Sequence, residues 1–336
     1  MCRPMSVKPL VACFGEVLLR FSPRGTTPLR EADALDAYVG GAEANVAVSL
    51  ATLGIRSRMI TTLPDNALAD CARRALRADG VDLSGIAARE GRMGVYYLSP
   101  AAGPLGGSVL YDRQDSAFSL AETYDPAVLD GVRHLHLSGI SLAVSEAAAS
   151  ATIALARAAR DRGVTISFDG NFRPSLWEKR DGDPAEAIAT LFGLADIVFG
   201  NHRDIAIALG NQNTLDARTA AEAAFNAFPS LSVLACTTRT IADDGGHHIA
   251  ARIDTRERYA QSRERTLTGI VDRIGTGDAF SAGVLFSWLT EPADLEKAVD
   301  TGMALCALAH YRSGDACRAT HAELQAMLNG GGDVVR

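Results

Sequence analysis

Lysine is almost missing from this chain: of 336 residues, only Lys8, Lys179 and Lys297 are lysines. None lies in Gly-x-x-x-x-Gly-Lys-Ser/Thr, which excludes a Walker-type phosphate loop. Schiff-base catalysis needs a lysine in an apolar pocket. Lys179 and Lys297 have charged neighbours and Lys8 lies near the terminus, so that chemistry is not expected either. Paired cysteines are missing too. The six cysteines stand at 2, 13, 71, 236, 306 and 317 without Cys-x-x-Cys spacing, which argues against a zinc ribbon or thioredoxin-type centre. They read as reduced thiols of a cytoplasmic protein. Positive charge is not in excess: the net charge of −7 argues against a nucleic-acid partner. No apolar run approaches a membrane span. Arg3 and Lys8 precede an apolar run, as in a signal peptide, but Glu16 interrupts it without a cleavage site, so a first strand is expected. No Gly-x-Gly-x-x-Gly with a downstream acid follows that strand, which speaks against a dinucleotide site.

What is present is alternation. Short apolar runs at 11–21, 58–63, 133–137, 164–168, 196–199 and 231–235 predict strands. Helical patterns near 45–53, 67–78, 145–162, 184–193, 203–209 and 216–227 separate them, and two long helices are expected near 277–289 and 294–311. Strands alternating with helices imply an α/β fold with a mostly parallel central sheet covered on both faces. Residues 22–39 and 91–118 break the pattern. They are strand-like, rich in glycine, proline and tyrosine, and predict a small β-sheet lid that closes over a site on the main sheet. The expected organisation is one domain over 1–330 with a frayed tail at 331–336. The arginine-rich stretch 256–265 interleaves two glutamates and reads as a solvated strand or loop.

The most informative motif is Gly275-Thr276-Gly277-Asp278-Ala279-Phe280, which opens an apolar helix. Free N–H groups at a helix start attract an anion, and glycine lets the backbone approach it. Asp278 would repel that anion, so it suits a group acting on something delivered to it, such as a hydroxyl attacking phosphorus. A tight turn with a first-turn aspartate is the plainer alternative. Gly40-Gly41-Ala42-Glu43-Ala44-Asn45 precedes another apolar helix, and Asn45 offers donors and acceptors to a polyhydroxylated ligand; a turn with a helix start explains it equally well. Asp169-Gly170-Asn171-Phe172-Arg173-Pro174 follows a strand, where α/β sheets bind ligands, and the fork of Arg173 suits a carboxylate or phosphate. Asn201-His202-Arg203-Asp204 follows the next strand and suits a nucleotide or a metal-bound water. Tyr96-Tyr97 and Tyr111-Asp112-Arg113 lie in the expected lid, with Tyr111 and Arg113 on one face. His134 and His136 share a strand face but lack a third ligand, which favours structural histidines.

Together these residues resemble the ribokinase-like (PfkB) sugar kinases over nearly the whole chain. The most specific element is Asp272-Arg-Ile-Gly-Thr-Gly-Asp278-Ala-Phe280, similar to the family's C-terminal signature; Gly40, Gly41 and Asn45 match its N-terminal substrate loop. Within the family, the Gly-Gly-Ala-Glu-Ala-Asn, Tyr-Asp-Arg and Asp-x-Asn-x-Arg-x-x-Leu-Trp elements look like 2-keto-3-deoxygluconate kinases. The resemblance implies that Asp278 is the general base and that the amides of Gly275, Thr276 and Gly277 form an anion hole. It implies that Gly40, Gly41, Asn45, Tyr96, Tyr111, Arg113 and Asp315 hold the sugar acid, with Arg173 on its carboxylate. Asn171, Asn201 and Arg239 would lie along ATP, with Mg²⁺ bridging its phosphates and Asp204 reaching that metal through water. Related kinases are often dimers or larger, so a homo-oligomer is expected. Two departures stand out: Asn201-x-x-Asp204 replaces Asn-x-x-Glu, and Cys236-Thr-Thr-Arg239 replaces a Lys-x-Gly-x-x-Gly stretch. The alternatives are a fructokinase or other neutral-sugar kinase, and a regulator that binds nucleotide or sugar without catalysis.

Overall fold

The computed structural model describes residues 10–101, 106–178, 183–210, 216–242, 245–292 and 294–330. The expectations for the extreme N-terminus and the tail 331–336 lie outside these residues. In chain order the strands are β1 (Leu10–Phe14), β2 (Leu18–Ser22), β3 (Asp36–Gly40), β4 (Arg56–Leu63), β5 (Asp82–Ala88), β6 (Val95–Ser99) and β7 (Ser108–Asp112). Then come β8 (Val132–Ser138), β9 (Thr165–Asp169), β10 (Ile197–Phe199), β11 (Val233–Ile241), β12 (His247–Asp254), β13 (Tyr259–Gln261) and β14 (Arg265–Leu267).

The main sheet has 10 strands in the order β13-β12-β11-β10-β9-β8-β1-β4-β5, with β14 also on β12. From β5 to β11 every pairing is parallel; crossovers return the chain to the same end of the sheet, through helices except between β5 and β8, where the chain runs through β6, β7 and a 3₁₀ turn. β12 joins antiparallel, and β13 and β14 pair with it to finish that edge. The arginine-rich stretch thus contributes strands to the edge of the main sheet. Alternate residues of β1 serve opposite cores. Val11 and Cys13 pack with the helices Ala42–Thr52, Thr276–Thr290 and Leu295–His310. Leu10, Ala12 and Phe14 pack with Glu146–Asp161, Pro184–Leu194 and Ala217–Ala227. That two-sided burial is why the strand reads as a continuous apolar run. Among the described residues no helix is long and apolar enough to cross a membrane.

The chain leaves β1 toward β4 and β5 on one side and fills the other side with β8 to β11. The sheet order therefore reverses between β1 and β8, and the crevice beyond the strands' carboxyl ends at that point is where such sheets bind ligands. A separate four-stranded sheet, ordered β3-β2-β6-β7, is drawn from the two excursions that interrupt the α/β alternation. Its boundaries differ from those expected. The run 11–21 is not one strand: it breaks at Gly15-Glu16-Val17, and its second half is β2, so the small sheet starts at Leu18 rather than 22. Both halves are apolar, and periodicity carries no mark of the break. Its visible physical cause is Glu16, whose buried carboxylate turns toward Arg113 and Ser116. Between β2 and β3 lies only a 3₁₀ turn, Leu29–Glu31.

Candidate active site

The helix Thr276–Thr290 begins at Gly275, which holds the left-handed conformation (φ 73°). A Cβ there would sit 1.7 Å from the Asp315 carbonyl oxygen, so both backbone angle and space require glycine. Among the described residues no side chain caps this N-terminus. The first helical hydrogen bond runs from the Ala279 N–H to the Gly275 carbonyl at 2.9 Å, which leaves the N–H groups of Thr276, Gly277 and Asp278 ahead of it. Gly277 is exposed and has open space where a Cβ would stand. Uncapped amides, the positive end of the helix dipole and open space together fit an anion.

Asp278 occupies the first turn. Its Oδ2 accepts a hydrogen bond of 2.7 Å from Asn45 Nδ2, which comes from the first turn of the helix Ala42–Thr52. Burial pushes the Asp278 carboxyl up to about 7; the Asn45 bond and the nearby Arg173 work against that shift, and Asp315 adds to it. Asn45 is buried, and its Oδ1 has no hydrogen-bond partner among the described residues. An unmatched buried acceptor beside a carboxylate is a ready seat for a hydroxyl proton. The glycines before this helix serve the protein itself. A Cβ at Gly41 (φ 129°) would meet the Glu16 carbonyl oxygen at 2.2 Å, and one at Gly40 would meet the Asp315 carboxylate at 1.9 Å. Close packing against the loops that carry Glu16 and Asp315 thus requires glycine at both positions.

Beyond β9 and β10 the loops carry the remaining polar groups. Asn171 has positive φ (39°), and its Nδ2 reaches Ser138 Oγ at 3.4 Å. The Asp169 carboxyl is held well above its ordinary range by burial and by the charges of Asp278 and Asp204. Asp204 is buried, with its Oδ2 accepting from the Asn201 N–H at 2.8 Å and its Oδ1 from the Phe172 N–H at 3.4 Å. Asn201 caps the helix His202–Ala208 in return. What Asp204 does here is fasten the two loops together, so the expected metal-water contact competes with two backbone donors. Among the described residues no group of three or more His, Cys, Asp or Glu side chains is placed to hold a metal. Arg173 and Arg239 are exposed, and among the described residues the side chain of neither makes a hydrogen bond or ion pair. Arg173 nevertheless stands close enough to Asp169, Asp204 and Asp278 for its charge to oppose the burial that raises all three pKa values.

A carboxylate at an uncapped helix start, on the carboxyl side of a reversed parallel sheet, is an arrangement that suits phosphoryl transfer. The sequence matches the pattern of the "pfkB family carbohydrate kinase" over residues 8–320. The chain belongs to the pfkB family of carbohydrate kinases. It is similar to a 2-dehydro-3-deoxygalactonokinase of Haloferax volcanii, with 32% identity over 95% of this chain and 96% of that one. A 2-dehydro-3-deoxygluconokinase of Bacillus subtilis is 29% identical over 90% of each chain. The crystal structure of 2-dehydro-3-deoxygluconokinase from Thermotoga maritima superimposes with a TM-score of 0.89 at 29% identity, covering 96% of this chain and 99% of that one.

In this kinase the small-sheet side of the crevice is charged but internally matched. Arg113 is buried, with its Nε 2.7 Å from Glu16 Oε2; Ser116 Oγ also donates to Glu16. Glu16 thus gives Arg113 a charged partner within the protein itself. The Tyr96 hydroxyl donates to Asp315 Oδ2, and Tyr111 packs against Tyr96 with ring centroids 5.8 Å apart. Asp315 is buried, which raises its pKa, while Arg20 draws it down. Glu43, also buried, accepts from Ser141 Oγ at 2.8 Å, and burial pushes its carboxyl up to about 8. Glu16, Arg20 and Glu43 escaped the reading of the sequence as site residues. One signal was available for Arg20: a lone arginine inside the apolar strand Leu18–Ser22 must find a carboxylate. His134 and His136 are buried and neutral, bonded to Thr165 and Ser167 as structural histidines.

Proposed function

We propose that this kinase transfers the γ-phosphoryl group of ATP to the 6-hydroxyl of 2-keto-3-deoxygluconate or its galacto epimer. The hydroxyl oxygen forms the new bond to phosphorus, the bond from phosphorus to the bridging oxygen of ADP breaks, and Asp278 takes the hydroxyl proton. The observation that carries this reading is the Asn45–Asp278 pair in the first turn of an uncapped helix. Asn45 orients the carboxylate, and the amides of Thr276 and Gly277 stand ready for charge on the transferring group without reorganising. Bound Mg²⁺ supplies charge neutralisation on the nucleotide phosphates. Asn171, Asn201 and Arg239 lie along the nucleotide in this reading, and Gly40, Gly41, Tyr96, Tyr111 and Asp315 shape the sugar pocket beneath the small sheet, which acts as a lid that excludes water.

The acid specificity rests on Arg173, an exposed cation within electrostatic reach of Asp278 that is free to pair with a carboxylate. A second reading, a neutral-sugar kinase such as a fructokinase, is favoured by one observation: Glu16 already neutralises Arg113. A coupled ADP-release assay separates the two. The panel is MgATP with 2-keto-3-deoxygluconate, its galacto epimer, gluconate, fructose and ribose. Turnover confined to the keto acids is expected. Preference for fructose or ribose removes Arg173 from carboxylate recognition and leaves the Asp278 chemistry in place. No turnover across the panel, in a folded protein that binds MgATP, turns the reading toward a non-catalytic sugar or nucleotide binder.

A further inference from the structure

Arg20 is a large side chain buried to within 1% of full coverage, on β2 of the small sheet. Its Nη2 lies 2.8 Å from Asp272 Oδ2, its Nε lies 3.2 Å from Asp315 Oδ1, and its guanidinium covers the Tyr38 ring at 4.4 Å. Both carboxylates are themselves built into the backbone around the helix start. Asp272 Oδ1 accepts from the N–H groups of Arg273 (2.7 Å) and Ile274 (3.0 Å), the two residues just before Gly275. Asp272 Oδ2 accepts from the Gly314 N–H at 3.3 Å, next to Asp315. The Asp315 carbonyl abuts Gly275, leaving no room for a Cβ. The Asp315 carboxylate takes the Tyr96 hydroxyl from β6. One guanidinium therefore joins β2, the loop before Gly275 and the loop after the helix Leu295–His310. Its one partner at the proposed sugar pocket is Asp315; its contacts do not include Asp278 or Asn45.

We propose that Arg20 is a positioning residue for phosphoryl transfer: through Asp272 and Asp315 it locks the small sheet to the turn that presents Gly275–Asp278. Arginine suits the task because its rigid fork addresses two carboxylates at once, which a lysine does only as a point charge. The inference rests on the reading of Asp278 as the base. Its consequence is a loss of rate rather than of nucleotide affinity, because a helix start displaced by a fraction of an ångström still attracts an anion but no longer aligns the reacting atoms.

The test uses the full-length chain and the sugar acid that turns over in the panel, with Arg20→Met, Arg20→Lys and Asp272→Asn. Asp272→Asn removes the charge facing Arg20 but keeps an oxygen for the turn. The expectation for Arg20→Met, per folded molecule, is a kcat about 30- to 100-fold lower with the KM for MgATP within about threefold. Faster hydrogen exchange across residues 272–278 is expected, with exchange in the helix Glu146–Asp161 unchanged. Arg20→Lys should regain a large part of the lost kcat, and Asp272→Asn should lose about tenfold. A folded Arg20→Met protein with kcat within about twofold of the parent overturns the proposal. So does a rate loss that only mirrors the unfolded fraction, unchanged exchange at 272–278, or Arg20→Lys no better than Arg20→Met. If Arg20→Met does not fold, Asp272→Asn decides alone, and a parental kcat there overturns it. Asp278→Asn is assayed alongside. Retained turnover in that variant sinks the base reading, whereas the exchange measurement on Arg20→Met reports on the lock by itself.

Discussion

The two sides of the crevice treat charge in opposite ways. On the small-sheet side the cations are buried and matched by the protein's own carboxylates, Arg113 by Glu16 and Arg20 by Asp272 and Asp315. On the side built from the ends of β9 to β11, Arg173 and Arg239 are exposed and unpaired among the described residues. The same residue type thus does two jobs. A buried, paired arginine fixes shape, and removing one partner strands a charge in a low-dielectric interior. An exposed, unpaired arginine contributes little to the fold and is available to an anionic ligand.

The sharpest test of the contrast lies where the sides meet. Asp278→Asn is expected to lower kcat by roughly 10³-fold, the range for a lost general base, with KM values and stability little changed. ADP release at saturating substrates measures it, and parental turnover would remove Asp278 from the chemistry. Next, Arg113→Met leaves the Glu16 carboxylate buried without its cation and should cost about 3 kcal/mol of stability, read by urea unfolding. A variant as stable as the parent would show that this side is not self-matched. Arg173→Ala should be silent in the same unfolding experiment but raise the KM for the keto acid by about tenfold, the worth of one charge-assisted hydrogen bond, with a smaller effect on ATP. Equal effects on both substrates would place Arg173 elsewhere. The smallest effect concerns pH. Burial raises the Asp278 carboxyl to about 7, and the base works only when ionised, so kcat/KM should fall as pH drops through that value. About a tenfold loss is expected between pH 8 and pH 6. An acid limb near the ordinary aspartate range would mean that Asp278 is solvated in the working enzyme.

Much of this was legible in the chain itself, and the divide is physical. The helix Ala67–Ala78 has the residues expected of it because its signals are local: Asn66 caps it by accepting from the Leu68 and Ala69 N–H groups, and its apolar spacing is regular. Asp278 and Asn45 were legible because glycine-rich turns at helix starts are local patterns too. β5 was not read, since Asp82–Ala88 is a partly exposed edge strand with Gly85 in its middle. The break between β1 and β2 was hidden because both halves are apolar. The charge partners were out of reach altogether. Glu16 and Arg113 are 97 residues apart, and Asn45 and Asp278 are 233 apart, so no window of sequence shows that one answers the other.

One pairing bears on how the molecule comes together. β2 and β6 run parallel in the small sheet, yet the chain between them builds β3, β4, β5 and two helices. Closing so long a loop costs entropy that only the surrounding structure can offset. The small sheet is therefore expected to assemble on a main sheet that already exists. A chain caught before that step leaves the helix start at Gly275 open to bulk water, and under the proposed function its expected signature is slow nucleotide hydrolysis that needs no sugar.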